Sequence, residues 1–142
     1  MYEFVYPAKF ARDRKDGGFV VSFRDLKDAI TQADSLLQCL EAAAGALQAA
    51  IEGRIMDGLG IPVASRAKRG ERLVAVPVQT ALKAALYLAM RERGITRVEL
   101  ARRLRINEKE ARRMLDPHHA TKAERLEQAL GVLGRHVELR VA

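Results

Sequence analysis

Residues 96–115 read TRVELARRLRINEKEARRML, two short helical patterns meeting across a turn too small for anything but a helix-turn-helix. Gly94 ends the helical run before it. Thr96 offers a hydroxyl to the orphan amides of the next helix, and Glu99 stands three residues on, a capping-box pattern. A helix therefore starts at about Arg97. Leu100, Ala101 and Leu104 share one of its faces, while Arg97, Arg102 and Arg103 point elsewhere. The pattern breaks at Arg105 and Ile106. Asn107, a preferred N-cap, then opens a second helix with Glu108 and Glu110 in its first turn, where carboxylates suit the helix dipole. Ala111, Met114 and Leu115 face inward, which leaves Lys109, Arg112 and Arg113 on the exposed face. Ala101 supplies the small side chain that steeply crossing helices need at their closest approach.

This stretch resembles the helix-turn-helix of the Xre and Cro repressors, in which an alanine in the first helix, a tight turn and an N-capped second helix recur at this spacing. The turn normally holds glycine where this chain has Arg105. Either the turn is wider here, or Arg105 bears a positive φ at a cost of about 1 kcal/mol. The division of labour expected on DNA gives Asn107, Lys109, Arg112 and Arg113 to base edges or phosphates. Thr96 and the amide of Arg97, at the N-terminus of the first helix, are placed to hold a phosphate, and Arg102 joins them. The bland alternative is a helical hairpin with a solvated basic face.

Charge points to the same place. The 142 residues carry a net +7, with ten basic and nine acidic residues in 1–70 but fifteen and nine in 71–142. Arg91–Arg113 alone holds nine basic and four acidic residues, so the densest positive segment coincides with the proposed motif, as a polyanion partner requires. The one cysteine, Cys39, excludes an intramolecular disulfide and sits among apolar neighbours as a small core residue. The first fifteen residues lack the apolar core of a signal peptide, and no stretch approaches the roughly 18 apolar residues of a membrane span. A soluble cytoplasmic protein with no membrane partner is the expectation.

The first third reads as a sheet. Tyr2–Phe10 is β-prone, RKDGG at 14–18 is a turn signal, and FVVSF at 19–23 is a second strand, giving an antiparallel hairpin. Pro7 belongs on an edge or at a bulge, because it cannot donate to a ladder. AITQA at 29–33 is a third strand. Asp34 or Ser35 then caps a helix to about Ile55, with Leu36, Leu37, Leu40, Ala43, Ala44, Leu47 and Ile51 on its apolar face. RLVAVPV at 72–78 is a fourth strand, ended by Pro77 or placed at an edge. From Gln79 to Arg93 a helix presents Leu82, Ala85, Leu86 and Ala89. Another runs from a Thr121 cap, with Glu124 completing the box, to about Leu133. Arg135–Val141 alternates as a strand, and a lone strand needs a partner in a second subunit or at a sheet edge. The expected division is 1–78 and 79–142.

Taken together, the halves resemble a HicB antitoxin of the type with a C-terminal helix-turn-helix. The residues that carry the likeness are Asp16, Gly17, Gly18 and Phe19, the run VSFRDL at 21–26, Thr31, Gln32 and Asp34, then VPVQTALKAALYL at 76–88 and LDPHHATKAERLEQALGVL at 115–133. Arg24 replaces the family's usual proline and Ala33 its usual glycine. The resemblance implies an α+β fold: a partial RNase H-like β-β-β-α-β unit that masks a small HicA-type mRNA-cleaving ribonuclease toxin, followed by a helix-turn-helix domain with a short C-terminal strand. That second domain binds operator DNA and represses the operon, in a homo-oligomer, dimer or tetramer. Gly17, Gly18, Arg24, Asp25 and Asp28, in the first hairpin and the loop after it, are the toxin-contact candidates.

RNase H-like chemistry needs carboxylates converging on paired magnesium ions. Asp13 and Asp16 flank a turn, Asp34 precedes a helix, and Asp25 and Asp28 lie in a loop, positions aspartate occupies for structural reasons. No catalytic residues are assigned, and no enzyme activity is expected. His118 and His119 have no second cluster at ligand spacing, so no metal is expected. Gly58 and Gly60 lack the lysine and helix of a phosphate loop, so no cofactor is expected. Two rival readings are a free-standing helix-turn-helix regulator with a ligand-sensing or dimerising N-terminal domain, and an active nuclease using the N-terminal carboxylates.

Overall fold

The strand VYPAKFAR puts Tyr6 and Ala8 on one side and Pro7 on the other, and all three are buried. The computed structural model describes all 142 residues, which divide into two compact units, Met1–Pro77 and Val78–Ala142. Unit 1 runs β1 (Val5–Arg12), β2 (Phe19–Ser22), β3 (Ile30–Ala33), α1 (Leu36–Met56) and β4 (Glu71–Ala75). Its four strands are all antiparallel, in the order β3-β2-β1-β4. Unit 2 is helical, with α2 (Val78–Arg93), α3 (Arg97–Leu104), α4 (Glu108–Leu115) and α5 (Ala123–Val132). The whole is an α+β chain with one four-stranded antiparallel sheet and five helices.

The β1–β2 turn is closed by local bonds. Asp13 N–H donates to Gly18 O at 2.9 Å, and the Asp13 carboxylate accepts from the amides of Lys15 and Asp16. Gly17 and Gly18 both take positive φ, 75° and 73°. Pro7 lies on an inner strand, not an edge, facing Leu73 of β4. β2 pairs only with Lys9–Arg12, so at Pro7 the strand is locally unpaired on its β2 side and can host a residue with no N–H.

Ser35 caps α1, its hydroxyl accepting from Gln38 N. The buried face of α1 is Cys39, Ala43, Leu47, Ala50 and Ile51, set against Tyr6, Ala8, Val21, Phe23 and Leu26 in one core. The expected face is corrected at its start, for Leu37 is 71% exposed and Leu40 38%. Small residues decide the rotation. Cys39 and Ala43 let the helix approach the sheet so closely that the Cys39 thiol lies 3.8 Å from Ala33 O, and a leucine there would hold it off. β4 is also shorter than expected, ending at Ala75. Val76 N–H still donates to Phe4 O, but Pro77 precedes α2, which takes Val78.

Residues 57–70 form no regular element, yet unit 1 pins them by side chains. Tyr6 donates to Pro62 O at 2.7 Å, Asp25 accepts from both the amide and hydroxyl of Ser65, and Arg54 donates to Gly60 O. Tyr6 is only 1% exposed. Burial, reinforced by the Asp25 carboxylate and opposed by Arg54, pushes its pKa up to about 12 from an ordinary 10.0. Above about pH 10 the unfolded chain ionises this phenol while the native state does not, so stability present below that pH is lost as pH rises toward 12. Tyr6→Phe is expected to remove about 1 kcal/mol at neutral pH and to flatten that alkaline decline. Parallel profiles of denaturation midpoint against pH for the two proteins would contradict it.

In unit 2 the core comprises Leu86, Ala89, Leu100, Ala111, Met114, Leu126, Ala129, Leu130 and Leu133. On α2 the inward face also takes Thr80, Lys83 and Ala84, whereas Leu82 and Ala85, expected inside, are half-buried. Thr121 is not the cap of α5. Lys122 takes that position without a side-chain cap bond, and the Thr121 hydroxyl accepts from Lys83 instead. The expected C-terminal strand finds no partner within the single chain. Residues 135–142 have no regular structure, because unit 2 holds no strand edge to receive their backbone groups.

Candidate functional sites

Both caps in the α3–turn–α4 segment are formed by side chains. The Thr96 hydroxyl accepts from Glu99 N at 3.2 Å, and the Asn107 side-chain oxygen accepts from Glu110 N at 2.8 Å. Only Arg105, Ile106 and Asn107 separate the two eight-residue helices. The open question at Arg105 is resolved in favour of strain. Arg105 sits at φ 55°, ψ 43°, the one non-glycine residue with positive φ, and Ile106 N–H behind it closes on Ala101 O at 3.0 Å. Ala101 and Ala111 are both buried, as expected of the inward faces of the two helices.

The arginines divide by partner. Arg97 pairs with Glu108 at 3.0 Å, Arg103 with Glu99 at 3.0 Å, Arg102 with the other Glu99 oxygen, and Arg125 with Glu110 at 3.1 Å. The hydrogen bond from Arg103, with Arg102 adding to it, holds the Glu99 carboxyl below the usual carboxylate range against a smaller opposing effect of desolvation. Lys109, Arg112 and Arg113 stand on the exposed face of α4, opposite buried Ala111 and Met114, and none is in an ion pair. Of the residues expected at DNA, these three therefore have free charges. Thr96 and Asn107 are exposed but use their side-chain oxygens as caps, and Arg97 and Arg102 begin in ion pairs. Such exposed pairs are worth under about 1 kcal/mol and can be exchanged for a phosphate.

Two residues of α2 shape this region and were not legible as functional. The Gln79 side-chain amide grips the Thr121 backbone twice, donating to its carbonyl at 2.9 Å and accepting from its N–H at 2.7 Å. One turn on, the Lys83 ammonium donates to Arg113 O at 3.0 Å, Asp116 O at 2.8 Å and Thr121 Oγ1 at 2.8 Å. Lys83 is 2% exposed. Burial lowers its pKa to about 8, with the Asp116 carboxylate pulling the other way.

In unit 1 the expected toxin-contact residues separate into two kinds. Arg24 donates to Glu71 at 2.9 Å and to Arg66 O, and its bond holds the Glu71 carboxyl below the usual range, helped by Lys68 N–H. Asp25 is bonded to Ser65, so both residues tie the 62–71 segment to the sheet. Gly18 is closed in, for a Cβ there would meet Ala33 O at 2.5 Å. Gly17 faces open space, and Asp28, 50% exposed at its side chain, makes only a 3.4 Å contact with Arg54. The structure thus leaves Gly17 and Asp28 accessible, and gives Gly18, Arg24 and Asp25 architectural work. No three His, Cys, Asp or Glu side chains come together as a metal site, and no helix is long and apolar enough to cross a membrane.

Residues 5–85 match the family model for the HicB-like antitoxin of bacterial toxin-antitoxin systems. Among curated proteins, the chain is 35% identical to "Antitoxin HicB" of Escherichia coli over 124 residues, covering 87% of this chain and 90% of that one. It is also 35% identical to "Antitoxin HicB 2" of Photorhabdus laumondii over 134 residues, 94% of each. A third relative, "Antitoxin HicB" of Pseudomonas fluorescens, is 29% identical over 126 residues, 88% of this chain and 86% of that one.

Proposed function

The chain belongs to the HicB-like antitoxin family of bacterial toxin-antitoxin systems, and on that footing we propose that it neutralises a small HicA-type mRNA-cleaving ribonuclease through unit 1 and represses its own operon through unit 2. The relatives are named as antitoxins, not as enzymes. In this reading unit 1 is a partial RNase H-like β-β-β-α-β unit used for binding, a view supported by its element order and by α1 lying on one face of the sheet. Toxin contact falls on the β1–β2 turn at Gly17 and on Asp28, the two candidates that are exposed and not engaged in holding the 62–71 segment or the end of β3. Residues 1–77 and 78–142 are then toxin-binding and DNA-binding domains, and the alternating segment 135–141 pairs with its counterpart in a second copy.

One observation carries the DNA half: three unpaired cations on the exposed face of an N-capped helix, directly after a tight turn from a preceding helix. That is the arrangement by which a helix-turn-helix lays its second helix in a major groove, with arginine reading guanine as the commonest specific contact. The test is binding to a labelled duplex from immediately upstream of the coding sequence. Arg112→Ala and Arg113→Ala should each weaken it, by about 1–3 kcal/mol where the lost contact is to a base, and reduce the salt dependence where it is to a phosphate. Unchanged affinity in both variants at matched salt would move DNA binding off α4. Failure of the intact chain to rescue cells from co-expressed HicA-type ribonuclease would remove the toxin half.

A further inference from the structure

We propose that Lys83 is a positioning residue for DNA recognition: from α2 it fixes the C-terminal end of α4, and so sets the pose in which Lys109, Arg112 and Arg113 are presented. The inference rests on α4 being the recognition helix. With only eight residues, α4 is about 12 Å long, too short to be held by many apolar contacts. Ala111 and Met114 keep it on the core, and its other directional ties toward α3 and α5, the exposed pairs of Glu108 with Arg97 and of Glu110 with Arg125, are each weak. Asn107 fixes one end by its cap. At the other, orphan carbonyls need donors, and Lys83 supplies them. Its three N–H groups meet three acceptors, Arg113 O inside the last turn, Asp116 O just after it, and the Thr121 hydroxyl before α5. A cation here also faces the negative end of the helix dipole.

Nothing about Lys83 touches the exposed face of α4. At 2% exposure it cannot reach a phosphate, so any effect on DNA must pass through the geometry of α4. When the proton leaves, the neutral amine keeps two N–H groups for the Arg113 and Asp116 carbonyls, the Thr121 hydroxyl must turn from accepting to donating to keep its bond, and the charge that faces the end of α4 is lost. The elements packed on α2 bring Arg112, Arg113 and Asp116 at the end of α4, and Lys122, Glu124 and Arg125 at the start of α5. Of these only the Asp116 carboxylate acts appreciably on Lys83. It favours the charged form and does not reverse the effect of burial.

The experiment uses the full chain and the labelled upstream duplex at fixed salt. Lys83→Met keeps the aliphatic bulk and removes every donor. It is expected to weaken binding roughly tenfold or more near neutral pH while thermal unfolding stays cooperative, and to speed amide exchange at Leu115 and Asp116. Wild-type affinity is expected to fall severalfold between about pH 7 and about pH 9, across the Lys83 titration, with Lys83→Met showing no such fall. A folded Lys83→Met binding within about twofold of wild type overturns the proposal. Should that variant fail to fold, a flat wild-type profile over the same pH range overturns it, and a weakened Thr121→Val, which loses one acceptor, supports it. If Arg112→Ala and Arg113→Ala bind normally, the DNA reading itself falls. Amide exchange in Lys83→Met then still decides whether Lys83 holds α4.

Discussion

Gly18→Ala is expected to destabilise unit 1 by about 2–4 kcal/mol, whereas Gly17→Ala, one residue away, should cost only about 1 kcal/mol. Both glycines have φ near 75°, so the backbone penalty for a side chain is shared. What differs is space. A Cβ at Gly17 meets nothing within 4 Å, but one at Gly18 would stand 2.5 Å from Ala33 O and 3.2 Å from Asp34 Cα. Those are backbone atoms at the end of β3, where Ala33 is paired with Phe19 and Ser35 immediately afterwards caps α1. The neighbour has little freedom to retreat without opening the β2–β3 pairing or displacing the start of α1. Chemical denaturation of the two variants separates local strain from this collision. Equal losses would show that the hairpin absorbs the extra carbon.

In unit 2 the largest loss is expected from Leu100→Ala. Leu100 is fully buried on α3, where the helix packs on α4 and α5. Removing its side chain should cost about 3–5 kcal/mol from lost burial and the cavity left behind. A helical unit spanning Val78–Ala142 buries a modest core and has only about 5 kcal/mol to lose. Cooperative melting of its helices should therefore disappear near room temperature. Val98→Ala is the control. It lies on the same helix but is 62% exposed, and should be nearly neutral. A Leu100→Ala variant that melts like Val98→Ala would mean that α3 is not part of the core.

What could be read from the chain was mostly what is local. Thr96, Asn107 and Ser35 cap helices through atoms three residues away, so a few letters suffice to find them. The hairpin at Asp16–Gly18 and the apolar spacing of α5 are of the same kind. Long-range geometry escaped. Lys83 looks like any helical lysine until α4 and the 116–121 segment fold over it, with partners 30 to 38 residues on. Thr121 had the right letter for a cap and was claimed by that lysine instead. Leu37 and Leu40 had the hydrophobicity for the core, but the face of α1 was set by how closely Cys39 and Ala43 allow it to approach. At Arg135–Val141 the period of two was legible, while the absence of any strand edge in unit 2 was not. The same boundary runs through the sites. The cationic letters of α3 and α4 were visible, but which of them are neutralised by Glu99 and Glu108 depends on side-chain pairing across turns.

Arg105 stands in a left-handed conformation that glycine would adopt without strain, at an exposed corner where its side chain does no packing work. Stability alone would write glycine there. Anyone thermostabilising this chain would be drawn to that corner first. The gain of about 1 kcal/mol would come with the removal of a positive charge midway between the two short helices, so the most obvious stabilising change is also one that thins the cationic segment.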